Sequence, residues 1–191
     1  VYATPVLGGM IADKFIGFKK SIMLGGILMA LGHFFMAFYF ESGFAGFEVS
    51  EINNFFFYTA LALLIVGNGF FKPNISTFVG SLYGEKDPRK DSGFTIFYMG
   101  INIGGWIAPL LCGWLAIKYG YHYGFGLAGI GMMTGLLFFW SGIKKNVFGD
   151  KGLPPNNEVY ENPIIGIPQK TFIPILAVLF VPVIAFILYS Y

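Results

Sequence analysis

Apolar positions gather into four long runs, Ser21 to Phe40, Phe55 to Val79, Phe94 to Ile117 and Tyr121 to Ile143. Each meets the roughly 20 residues that a helix needs to cross a bilayer, so all four read as transmembrane helices. A fifth run, Thr171 to Tyr191, carries Pro174 and Pro182 and spans only as a helix that tolerates kinks. The twelve residues before Asp13 are also apolar, with no basic n-region and no initiating Met. They read as the second half of a truncated helix and not as a signal peptide, so the 191 residues are expected to be a piece of a longer protein.

Composition supports a membrane chain. Hydrophobic residues make up 55% and charged residues 12%, against about 25% charged in a soluble domain, and mean hydropathy is +0.67. The net charge of +2 says little until its distribution is read. Lys14, Lys19 and Lys20 follow the apolar N-terminal stretch, Lys86, Arg89 and Lys90 the run Phe55 to Val79, and Lys144, Lys145 and Lys151 the run Tyr121 to Ile143, while Glu41 to Asn54 holds three acids and no base. The positive-inside rule makes the basic loops cytoplasmic, and nucleic acid is not needed to explain them. The one cysteine, Cys112, lies in an apolar span and allows neither a disulfide framework nor a cysteine metal site within the chain.

Shifting the chain by 104 positions aligns Pro5 to Lys14 with Pro109 to Lys118, with five of ten positions identical. By the charge argument the first copy ends inside the cell and the second outside. Inverted repeats of this kind recur in secondary transporters, whose substrate sites lie near the midplane at repeat interfaces.

One charge interrupts the second run. Lys72 is the only charged residue between Phe55 and Val79, and a lysine at a helix centre costs about 2.5 to 3.5 kcal/mol on the translocon scale. Asn68, Lys72 and Ser76 recur at i, i+4 and i+8 and form a polar stripe. Pro73 cannot donate to the carbonyl of Gly69, and Gly67 and Gly69 admit another backbone or a ligand. Two readings of Lys72 stand: a cation facing a wet cavity, or a lysine snorkelling to the interface. Tyr98 and Asn102 are the interior polar groups of the next run; the Asn102 amide can hold a substrate's carboxylate, amine or peptide group, or serve as interhelical glue. Gly100 and Gly104, like Gly131 and Gly135, read as close-contact patterns. Tyr2 fits an interfacial anchor, while His33 and His122, with no carboxylate at i±3 or i±4, fit packing or hydrogen bonding.

Three motifs resemble the proton-coupled oligopeptide transporters, a branch of the major facilitator superfamily. GGMIADKFIGFKK, Gly8 to Lys20, is similar to the superfamily's loop between helices two and three. GNGFFKPNIS, Gly67 to Ser76, resembles the family's fourth-helix motif, and FYMGINIG, Phe97 to Gly104, its fifth-helix signature. The resemblance implies an all-α integral membrane fold, part of the N-terminal six-helix bundle from the end of helix two to helix six. It divides the chain into a partial bundle over residues 1–143, a cytoplasmic linker over 144–170 and an additional transmembrane helix over 171–191, more like an inserted inter-bundle helix than helix seven.

It also implies the site. Lys72 resembles the lysine implicated in substrate carboxylate recognition and proton coupling, Asn102 the asparagine that contacts bound peptide, and Tyr2 the tyrosine beside it. Asp13, Lys19 and Lys20 resemble gating and packing residues, with Pro73 structural. The expected function is a proton-coupled symporter importing di- and tripeptides by alternating access, in a multi-pass cell membrane setting such as the bacterial inner membrane. Its partners are peptides, protons, the lipid bilayer and the remainder of the same polypeptide; no nucleic acid, metal, cofactor or catalysis is expected. The alternatives are a transporter of another small solute such as nitrate, or a membrane-embedded enzyme, for which no two ionisable residues share a buried helical face.

Overall fold

The structure, a computed structural model, describes residues 4–38, 48–153, 163–164 and 167–190. A short helix α1 (Thr4–Ile11) runs into one π-helical turn (Ala12–Ile16), followed by α2 (Phe18–Ala37), α3 (Val49–Ser81), α4 (Lys90–Tyr119) and α5 (Tyr121–Lys144). Two-residue strands β1 (Pro163–Ile164) and β2 (Ile167–Pro168) pair antiparallel before α6 (Gln169–Ser190). The expected spans match α2 to α5, with α3 starting six residues before the expected Phe55, and these four helices are each long and apolar enough to cross a membrane. Within α6 the stretch Ile175–Ser190 is apolar but shorter. Part of the expected linker, and Tyr2, lie outside the described residues.

Local chemistry sets the breaks. Gly17, at φ 75°, and Gly120, at φ 114°, turn the chain where a side chain would be strained. A reciprocal capping box starts α3: the Glu48 backbone N–H donates to the Glu51 carboxylate at 3.0 Å. Before α4, Arg89 pairs with Asp87 at 2.9 Å, and these hydrogen bonds hold the Asp87 carboxyl below its ordinary range.

Helix α3 is the hub. Glycine lets its two neighbours approach on different sides, because Gly67 faces α2 and Gly69 faces α1. A Cβ on Gly25 would stand 2.6 Å from the Gly67 carbonyl oxygen, and one on Gly69 would stand 2.9 Å from Thr4 Cβ. Helix α5 packs on α2, where Gly129 meets the Phe34 ring, and α4 closes on α5, where Gly124 meets the Cys112 carbonyl. Helix α6 covers part of α3 and the π turn, with Ala177 and Val181 joining Ile16 and Phe70 in the core. No residue of α4 is buried.

The basic segments converge at one end. The Lys19 backbone N–H donates to the Gly152 carbonyl at 3.3 Å, and Phe78 near the end of α3 stacks edge-on with Phe148 just beyond α5 at 5.1 Å. Helix α1 runs toward this end and α4, antiparallel to α5, leaves it, so the two ten-residue copies of the repeat run in opposite directions, as the charge argument expects.

Candidate functional site

The polar stripe of α3 faces outward. Lys72 is exposed, with Asn68 and Ser76 half-buried on either side, and among the described residues no side chain pairs with the ammonium. Lys72 sits nine residues before the end of α3. Immediately after it Pro73 removes the backbone donor that Gly69 would otherwise receive. On the adjacent helix Asn102 is exposed and Tyr98 is 52% exposed, its ring stacked on Phe94 at 6.2 Å.

An apolar groove of ≈ 930 Å³ lies between α2, α3, α4 and α5. Phe71 and Ile75 of α3, flanking Lys72 in sequence, and Gly104 of α4, two residues after Asn102, border it. His33 also reaches it, its Nδ1 buried with no hydrogen-bond partner among the described residues. Lys72 and Asn102 are carried by two helices that border this groove, but neither residue lines it, and both are exposed. Gly100, Gly104, Gly131 and Gly135 have nothing within 4 Å of where a Cβ would stand, so among the described residues these expected close contacts have no partner.

The gating candidates separate. Asp13 and Lys20 are exposed, whereas Lys19 is half-buried and its Nζ donates to the Gly149 carbonyl at 2.6 Å. His122 packs its ring on Tyr123 at 4.3 Å, and Cys112 is a half-buried free thiol. Among the described residues no group of three or more His, Cys, Asp or Glu side chains converges on a metal-sized site.

Sequence reasoning passed over Asn74. It is 1% exposed, and its Nδ2 donates to Phe70 O at 2.7 Å and to Gly8 O of α1 at 3.3 Å. The signal was a second amide in the same motif, off the stripe by two positions.

An all-α bundle of this order has the fold of a major facilitator superfamily N-terminal bundle, and the chain is a multi-pass membrane segment. The model of the POT family (PTR2) matches residues 19–161, and the chain belongs to that family. It is 45% identical over 139 residues to the peptide transporter YePEPT of Yersinia enterocolitica, covering 73% of this chain and 25% of that protein. Against the di-/tripeptide transporter of Lactococcus lactis it is 42% identical over 157 residues, covering 82% of this chain and 29% of the relative. A crystal structure of the peptide transporter POT (E310Q mutant) in complex with sulfate superposes with a TM-score of 0.70 at 34% identity, covering 98% of this chain and 34% of that one. The chain therefore spans about a quarter to a third of the length of the relatives it matches.

Proposed function

We propose that the chain works as part of a proton-coupled symporter that imports di- and tripeptides by alternating access. The observation that carries this reading is Lys72, an ammonium on the open face of α3 with no counter-charge among the described residues. In a bilayer such a cation is costly unless a carboxylate meets it. Two kinds of carboxylate can do so: a side chain from polypeptide beyond these residues, or the C-terminus of a peptide. When the peptide takes the ammonium, the displaced side-chain carboxyl loses its stabilising charge and takes up a proton more readily. Exchange of partners at one cation links binding to protonation, and each ligand shifts the transporter toward the state that it binds better.

In this reading Lys72, Asn102 and Tyr2 face the peptide, and Lys72 couples it to the proton. Asp13, Lys19, Lys20 and Pro73 serve gating and helix geometry. Residues 144–170 form the cytoplasmic linker and 171–191 an inserted helix. The relatives named for peptide and di-/tripeptide transport support the substrate class. The test is uptake of a labelled dipeptide into proteoliposomes holding the full-length protein. Accumulation with an inwardly directed proton gradient, collapsing with a protonophore, is the expected result; gradient-independent uptake would contradict symport.

A further inference from the structure

We infer that Asn74 is a positioning residue for Lys72: its amide ties α3 to α1 at the Pro73 break and so fixes the direction in which Lys72 points. This rests on the proposed role of Lys72.

The geometry is specific. At Pro73 the helical ladder of α3 lacks one N–H, so the helix is locally less constrained there. One residue later the Asn74 side chain supplies two donors, both on Nδ2. One goes back to Phe70 O at 2.7 Å, within α3; the other crosses to Gly8 O at 3.3 Å, in the last turn of α1 before it widens into the π-helical turn. Both partners are carbonyl acceptors, so only the NH₂ end of the amide can face them. The same seam is held by Thr4, whose hydroxyl donates to Ile65 O at 3.3 Å, and by Gly9 against the Pro73 ring.

Lys72 and Asn74 are two residues apart, about 200° around a helix, which matches one being exposed and the other 1% exposed. A rotation of α3 that releases Asn74 from Gly8 necessarily swings Lys72 out of its present direction. The bond to Gly8 is therefore the azimuthal stop for the ammonium, and the α1–α3 pair is expected to move as one body.

A double-mutant cycle on the full-length protein tests this, with dialanine affinity measured by calorimetry in detergent. Asn74→Ser retains a hydroxyl that can bond the Phe70 carbonyl but is too short to reach Gly8; Asn74→Leu removes both bonds at similar volume. Each is expected to weaken dialanine binding about tenfold when Lys72 is present and by less than about twofold in a Lys72→Ala background, where there is no ammonium to position. Equal weakening in both backgrounds, or wild-type affinity in Asn74→Ser, would overturn the proposal. Wild-type affinity in Lys72→Ala alone would instead overturn the role of Lys72, and this inference with it.

Discussion

The Cα of Gly8 lies directly against the carbonyl oxygen of Gly69, so close that no side chain fits between α1 and α3. Pro73 has freed that carbonyl from its helical donor, and a Cα–H of Gly8 is aimed at it; such contacts are worth about 0.5–1 kcal/mol. The proline that interrupts α3 and the glycine that seats α1 are two halves of one joint. Gly8→Ala drives a methyl group into backbone, which cannot give as a flexible side chain would. We expect it to destabilise the protein by about 1–3 kcal/mol, seen as a lowered melting temperature in detergent. An unchanged melting temperature would show that the joint opens without cost.

The turn after α5 is pinned at the basic end. Phe148 sits 5.1 Å from Phe78 and 5.5 Å from Phe139, and Lys19 holds the Gly149 carbonyl. Phe148 is half-buried, so Phe148→Ala is expected to cost less than the roughly 3–5 kcal/mol of a fully buried phenylalanine. Its consequence is local: limited proteolysis within residues 145–153 should accelerate while α2 to α5 stay intact. Equal cleavage rates in variant and wild type would contradict the pinning.

Much of this architecture is legible in the sequence because burial in lipid and burial in protein select the same apolar residues, and because helices must satisfy their own backbone. The runs that became α2 to α5 are of this kind. What apolar composition cannot rank is which face meets which neighbour. Gly67 and Gly69 look equivalent as small residues, yet they serve opposite helices, and Asn74 looks like a weaker copy of Asn68 until α1 is in place. Gly104, Gly131 and Gly135 show the converse: their small size is plain, but the groove they border has no occupant among the described residues. The family resemblance, more than spacing, singled out Lys72 and Asn102 together.

The loop between α3 and α4 is expected on the cytoplasmic side, because Lys86, Arg89 and Lys90 follow α3. Glu85 is exposed there and away from the Asp87–Arg89 pair. In a cysteine-free full-length background, Glu85→Cys should resist a membrane-impermeant maleimide added to intact cells and react after permeabilisation. Labelling in intact cells would reverse the topology.

Gradient-driven dipeptide uptake by Lys72→Ala, normalised to the amount of full-length protein in the membrane, addresses the central claim most directly. Removing the ammonium takes away both the ligand for the peptide carboxylate and the charge that compensates its protein partner, so uptake should fall at least tenfold, the loss expected on breaking a buried pair. Lys72→Arg keeps the charge but replaces a compact ammonium with a planar fork, and should restore little. Uptake by Lys72→Ala at the wild-type rate, with the proton gradient still required, would contradict the account.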